Sequence, residues 1–324
     1  MLTTRDAGAQ IEQELESHRR GLTGYCYRML GSGSEADDAV QETMVRAWRA
    51  ADRLEQRAAL KSWLYRIAGN VCLDMLQGSQ RRAQPMDLGP ASAAESALGA
   101  SLPEHAWVKP IADARVLAPE ADPAEVADQR ETLRLAFVAA LQHLPPRQRA
   151  VLILREVLRW QAAEVAELLE TSVASVNSAL QRARATLEGL SLDASGPASG
   201  LGSEEQELLG RYVDAFERYD ITSLVSLLQE DATFSMPPFP LWLRGPAEAG
   251  RFMLGQGIHC KGSRLVATSA NGGPAVGVYH PAPDGYEPWA IVVLELSGGR
   301  IAGLHHFLYP ELFAEFGLPP RLER

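Results

Sequence analysis

The chain has 324 residues, 46% hydrophobic and 22% charged, with a formal net charge of −10. That length allows two or three domains with cores of their own, and no window approaches the roughly 18 continuous apolar residues that a membrane-spanning helix needs. The N-terminus, MLTTRDAGAQIEQELESHRR, is polar, without the apolar centre of a signal peptide, so a cytoplasmic protein without a membrane role is expected. The cysteines, Cys26, Cys72 and Cys260, are scattered and fit neither a disulfide framework nor a zinc site. They read as small buried hydrophobes, and no metal or cofactor is expected.

The charge is uneven. Residues 1–188 carry 22 Lys/Arg against 25 Asp/Glu, a net of −3, and residues 189–324 carry 9 against 16, a net of −7. Neutralising phosphates supplies most nonspecific DNA affinity, so such a chain would hold DNA weakly unless something else brings it there.

Residues 10–82 read as a helical domain. Leu15, Leu22, Tyr25, Met29 and Leu30 recur at helical spacing until GSGSEADD interrupts them. Ser34 is the expected N-cap of a second helix, whose inner face is Ala36, Val40, Thr43 and Ala47. A break near Asp52–Ala59 precedes a third helix with Leu64, Ile67, Val71 and Leu76 as its buried stripe. Residues 83–128 lack periodicity, are rich in Ala, Pro, Gly and Ser, and carry eight acids against two basic residues. Such a composition predicts an acidic flexible linker.

Residues 129–190 return to helical periodicity. Pro145 and Pro146 open a helix. A short helix near Ala162–Leu169, the turn Glu170-Thr171-Ser172 and a longer helix follow. On the longer helix Val173, Val176, Leu180, Ala183 and Leu187 form the inward stripe. Ser175, Ser178, Gln181 and Arg182 face the other way, and their side chains suit base edges and phosphates in a major groove. On periodicity alone, a helical hairpin meeting only water explains that face equally well. The segment 191–203 is a second linker by composition. Residues 204–324 change class to α+β: a helix from Glu204 leads to two hairpins, RLVATS-ANGG-PAVGVY and AIVVLEL-SGG-RIAGLHHFL.

Two stretches together resemble the extracytoplasmic-function sigma factors of bacterial RNA polymerase, in the sigma-70 superfamily. EADDAVQETMVRAWRA with SWLYRIAGNVCLDML is similar to sigma region 2, and LPPRQRAVLILREVLRWQAAEVAELLETSVASVNSALQRAR to region 4. ELLGRYVDAFERYDITSLVSLLQEDATFSMPP resembles the start of a SnoaL-like cone-shaped domain. The resemblance implies a multi-domain chain: two all-α sigma domains, a region 2 bundle and a region 4 helix-turn-helix, then a C-terminal α+β regulatory domain. It implies core RNA polymerase and promoter DNA as partners, and no catalytic residue.

Residue by residue, the resemblance implies that Asp38, Gln41, Glu42 and Val45 dock on the polymerase. Lys61, Arg66, Asn70, Arg81 and Arg82 would meet the minus-ten element, and Ser175, Ser178, Gln181 and Arg182 the minus-thirty-five element. The base-capture loop would be Asp52–Lys61, where Leu54 and Gln56 depart from the family's usual aromatic and Gly. Gln161 stands where a Ser or Thr cap is common. Phe239, Trp242, His259, Trp289 and His305 are candidate lining residues of a ligand cavity in the C-terminal domain, with a small molecule as candidate partner. His305 and His306, adjacent on a strand, would point to opposite faces. Two other readings stay open: a ligand-responsive operator-binding regulator that works without polymerase, and an enzyme using the C-terminal cavity.

Overall fold

In the computed structural model, residues 4–50, 59–118, 122–190 and 203–324 are described. In chain order the helices are α1 (Thr4–Leu30), α2 (Gly33–Ala50), α3 (Leu60–Met75), α4 (Pro85–Leu88), α5 (Asp113–Val116), α6 (Pro123–Glu131), α7 (Leu135–Leu141), α8 (Pro146–Leu152), α9 (Ala162–Leu168), α10 (Val173–Glu188), α11 (Ser203–Glu217), α12 (Ile221–Ser226), α13 (Pro246–Leu254) and α14 (Leu312–Glu315). The strands are β1 (Leu228–Ser235), β2 (Trp242–Arg244), β3 (Arg264–Ala270), β4 (Gly273–Ala282), β5 (Gly285–Ser297) and β6 (Arg300–Phe307). The chain divides into two compact units. The expected base-capture loop with Leu54 and Gln56, and most of the second linker, lie outside the described residues.

The first unit is helical and takes in residues 1–81, 115–118 and 136–192. Its core follows the expected stripes: Leu15, Leu22, Tyr25, Met29 and Leu30 of α1 are buried, as are Ala36, Val40, Thr43 and Ala47 of α2. Helix α2 begins two residues earlier than the sequence suggested, and the cap is Ser32, whose Oγ accepts the Glu35 N–H at 3.4 Å. Tyr65 of α3 packs on Tyr25 (5.5 Å between ring centroids) and on Trp160 (5.2 Å), which ties the first helices to the helix-turn-helix. The Arg149 guanidinium, 4% exposed, is the polar centre. It donates to the carbonyl of Met29 at the end of α1, to Gln142 Oε1 and O, and to Leu144 O. A buried cation is tolerable there because its donors meet carbonyl oxygens left over at helix ends.

The second unit takes in residues 82–114, 119–135 and 193–324. Its six-stranded sheet has the order β2-β1-β6-β5-β4-β3. Only the β1–β6 pair is parallel. Alternation along the strands sends Phe234, Val276, Val278, Val292, Leu294 and Leu304 to one core, shared with Tyr212, Phe216, Leu224 and Phe252 from the helices. Both predicted hairpins form, as β3–β4 and β5–β6.

The expected flexible linker over 83–128 is corrected for its described residues. Trp107, Val108, Ile111 and Ala112 are at most 3% exposed, and the stretch through Ala114 belongs to the second unit. The anchor is the β3–β4 turn, where Asn271 and Gly272 both take positive φ (54° and 78°). Asn271 Oδ1 accepts the Ile111 N–H (3.2 Å), its Nδ2 donates to Leu133 O (2.8 Å), and its own N–H donates to Ile111 O (3.1 Å). The Gly272 N–H donates to Asp113 Oδ1 at 2.8 Å, and a Cβ at Gly272 would stand 2.7 Å from the carbonyl oxygen of Arg130. Periodicity could not announce this segment, because a strap bound through side-chain-to-backbone hydrogen bonds needs no repeating apolar pattern.

Replacing Asn271 by Ala leaves the Ile111 N–H and the Leu133 carbonyl buried without partners, a loss of about 2–4 kcal/mol. Thermal unfolding of the full chain should report it as a marked drop in the transition of the second unit; a change within error would remove Asn271 as the anchor.

Candidate functional site

Two exposed faces of the first unit carry the sequence-predicted residues. On α2, Asp38, Gln41 and Glu42 are exposed and Val45 is half-buried, all off the buried Ala36/Val40/Thr43/Ala47 stripe. Glu42 Oε1 pairs with Arg46 Nε at 2.7 Å, a surface pair of small net worth. Beside this face α1 and α2 enclose an open groove of about 600 Å³, lined by Leu15, Arg19, Gln41, Met44, Val45 and Trp48. Trp48 is 60% exposed. The reading from sequence named Gln41 and Val45 but missed Trp48 and Met44. Their signal was available: a Trp outside the apolar stripe of an amphipathic helix has no place in that helix's own core.

On α10, Ser175, Ser178, Gln181 and Arg182 are all exposed along one face, and Asn177 is exposed beside them. Val176, Ala179, Leu180 and Ala183 are buried on the other side. Val173, expected in the stripe, is 43% exposed. Ser172 caps the helix, its Oγ accepting the Ser175 N–H at 3.1 Å and lying 2.9 Å from Ser175 Oγ. The Ser175 hydroxyl is thus partly engaged in the cap, while Ser178, Gln181 and Arg182 stand clear of it. Gln161 is not a weak start to α9, since the Glu164 carboxylate accepts its N–H at 2.6 Å.

The expected minus-ten residues are not alike. Lys61 and Asn70 of α3 are exposed, and Arg66 is partly buried with an Nε that has no hydrogen-bond partner among the described residues. Arg81 is exposed, with Nη1 2.7 Å from His143 Nδ1. Arg82 is a correction. It is 7% exposed and its Nη1 donates to Trp107 O at 3.0 Å, so its guanidinium is a structural tie and not a phosphate contact in this conformation. The dipeptide Arg81-Arg82 looked alike in sequence because only the fold decides which of two neighbours turns inward.

The predicted cavity set does not assemble. Phe239 is half-buried, and His259 is exposed on a 3₁₀ turn (Gln256–Cys260). Trp242 is buried with its Nε1 donating to Gly89 O at 2.9 Å and the Arg244 guanidinium over its ring. Trp289 packs at the edge of the core and stacks on His280 at 4.2 Å. His305 and His306 do face opposite ways, and it is His306 that turns inward, 4.4 Å from the Phe234 ring. Burial holds the His306 imidazole down to about 4, so it is neutral at physiological pH.

On the other sheet face, Ser235 Oγ lies 2.8 Å from His305 Nδ1, and His305 Nε2 lies 3.4 Å from Glu295 Oε2. Gly303 leaves the room, since a Cβ there would stand 2.7 Å from that Nε2. Hydroxyl, imidazole and carboxylate in this order resemble a hydrolase triad. Ser235 is 1% exposed, however, so its hydroxyl meets no substrate in this conformation.

Residues 15–82 match the Sigma-70 region 2 family and residues 134–187 match Sigma-70, region 4. The chain is 44% identical over 311 residues to the ECF RNA polymerase sigma factor SigG of Mycobacterium tuberculosis, covering 95% of this chain and 83% of that protein. The ECF RNA polymerase sigma factor SigJ of the same organism is 28% identical, with 95% of each chain covered. The crystal structure of Mycobacterium tuberculosis SigJ superposes with a TM-score of 0.60 at 25% identity, covering 95% of this chain and 99% of that one.

Two outcomes follow from this geometry. Arg82→Ala should lower stability by about 2 kcal/mol through the lost buried hydrogen bond, while Arg81→Ala leaves the melting temperature nearly unchanged; equal effects would refute the difference in role. For His306, the unfolded chain takes up a proton below pH 6.5 that the fold refuses until about 4. Stability from this residue is therefore fully present above pH 6.5 and is lost as pH falls toward 4. His306→Phe should gain in melting temperature relative to the unsubstituted chain between pH 7 and pH 4.5, and a constant difference would contradict the assignment.

Proposed function

The chain belongs to the extracytoplasmic-function RNA polymerase sigma factors, and from that premise we propose how its two faces divide the work. As a sigma factor it binds core RNA polymerase and directs promoter-specific initiation. The α2 face with Asp38, Gln41, Glu42 and Val45, continued by the groove with Trp48, docks on the core enzyme. Acids and an amide there meet basic groups, and the Leu15, Met44 and Trp48 part of the groove, whose lining also includes Glu12, Glu16, Arg19 and Arg49, takes an apolar side chain of the same partner. The observation that carries this is the coincidence of the exposed polar row and an open groove on one helix.

Promoter reading falls to the other faces. Ser178, Gln181 and Arg182 of α10, with Ser175 beside its cap, read the minus-thirty-five element in the major groove. Lys61, Arg66 and Asn70 of α3 meet the minus-ten element with Arg81, and Arg82 is withdrawn from that set. Regions 2 and 4 and the C-terminal domain are taken as functional segments over 10–82, 129–190 and 204–324, although Arg82 and residues 129–135 pack within the second unit.

The C-terminal domain acts in regulation and not in turnover. A small apolar ligand of this domain rests on the family resemblance alone, since the five candidate residues do not assemble around a cavity and His306, in place of His305, is the polar group facing the core. Such a ligand shifts activity only through different affinity for two states of the chain. No helix among the described residues is long and apolar enough to cross a membrane, which fits work beside the polymerase in the cytoplasm.

Asp38→Arg places a cation where a basic partner is expected and should weaken core-enzyme binding at least tenfold; unchanged affinity would reject the α2 face. Arg182→Ala should reduce run-off transcription from the cognate promoter several-fold with core binding intact, and undiminished transcription would remove Arg182 from the reading set.

A further inference from the structure

The strap from Arg82 to Ala114 is held unevenly. At its base Ala83 and Trp107 form a parallel bridge. The Ala83 N–H donates to Ala106 O (2.8 Å), the Val108 N–H to Ala83 O (3.1 Å), and Arg82 Nη1 to Trp107 O (3.0 Å). Trp107 and Val108 are buried completely or nearly so. Residues 84–105 leave this base and return to it, so both ends of the excursion are fixed close together. Its middle lies along β2 and α13 and is held there in another manner.

That hold is mostly through main-chain groups of the strap, with one exposed side-chain ion pair, Glu95 to Arg251 (3.4 Å), beside them. Trp242 Nε1 donates to Gly89 O, and the Ser92 N–H donates to Trp242 O (2.8 Å). Glu248 Oε2 accepts the Ala94 N–H (2.8 Å), and Gln256 Nε2 donates to the carbonyls of Ala94 and Ser96 (both 2.9 Å). The Leu102 N–H donates to Pro238 O (2.9 Å). The bond from Ala94 also holds the Glu248 carboxyl below its usual range. Of the side chains, Ala94 is buried in the apolar core and Leu98 packs against it in part. Each of these hydrogen bonds is a modest net gain in water, and the ordering of each residue opposes it by a comparable amount. No bulky side chain adds the apolar burial that fixes the base at Trp107.

We propose that residues 84–105 are a hinged lid, and that the site beneath it, between β2 and α13, binds an extended peptide of small apolar residues through its main chain. In the closed state the chain's own residues 89–102 fill that site. The recognising groups are Trp242, Glu248 and Gln256, which between them meet two N–H groups and three C=O groups of the strap, with a shallow apolar slot for residues the size of Ala94 and Leu98. Because the ends of the excursion meet at the Ala83–Trp107 bridge, residues 89–102 swing out while Glu104, whose carboxylate pairs with the buried Lys109 ammonium, stays with the base. A protein segment of the same chemistry then takes its place. This site is independent of the promoter-reading faces proposed above, so its failure would leave them standing.

Hydrogen exchange on the full chain tests the lid. The amides of Ser92, Ala94 and Leu102 should exchange at least a hundredfold faster, relative to their unfolded rates, than those of Ala83 and Val108. Equal protection across the five would mean that lid and base open as one, and would overturn the hinge. The site is tested with a labelled synthetic peptide of residues 89–102, GPASAAESALGASL, added to the full chain. Saturable binding, weakened at least tenfold by Glu248→Ala and by Gln256→Ala (an exposed position whose change leaves the fold intact), supports it. Absence of binding at millimolar peptide, or binding that neither substitution changes, overturns it.

Discussion

The second unit depends on one hairpin turn. The Asn271-Gly272 pair closes β3 to β4, but its polar groups do more than turn the chain: they hold Ile111, Asp113 and Leu133 from two stretches that precede the turn in sequence by well over a hundred residues. Burial pushes the Asp113 carboxyl up to about 6 even though it accepts the Gly272 N–H. This cost is tolerated because the strap it secures brings Trp107, Val108 and Ile111 into the fold. A chain cut near Ala194 would therefore lose more than its C-terminal domain. It would expose the apolar face of its own spacer, and its behaviour would report that exposure together with any release from regulation.

The first unit rests on a comparable device. Arg149 gathers carbonyls from the end of α1 and from the segment before α8, while Tyr65 joins Tyr25 to Trp160. Burial lowers neighbouring Arg28 only to about 10, so that cation also remains charged, with the Gly24 carbonyl 2.9 Å from its Nη1. The buried cations are structural, and among the described residues the cations proposed to meet nucleic acid are few: Lys61, Arg66, Arg81 and Arg182. A chain of net charge −10 with so few exposed candidates suits a subunit that relies on its polymerase for most of the attraction to DNA.

Much of this was legible in the sequence. The stripes of α1 and α2 follow a 3.6-residue period and are buried as written, those of α3 and α10 only in part (Ile67, Leu76 and Leu187 are half-buried and Val173 is exposed), and the two hairpins declared themselves by Gly-containing turns between β-rich runs. The exposed rows on α2 and α10 followed as the complements of those stripes. What stayed hidden was set by long-range contact. The strap looked disordered because its binding energy comes from Asn271, Asp113, Arg82 and Trp107, residues without a local pattern. Of two adjacent histidines the sequence showed that they part, but not that His306 would be the one to meet Phe234. Trp48 was legible as a large aromatic outside the buried stripe of α2, next to the polar row.

Transcription from the cognate promoter by cognate core RNA polymerase, with and without the full-length chain, tests the central claim most directly. The account predicts that initiation at a defined start site requires the chain, and that the chain alone binds the promoter fragment only weakly. Tight, specific binding of the chain to DNA in the absence of core enzyme, with no dependence of initiation upon it, would contradict the account and favour a regulator that acts on an operator by itself.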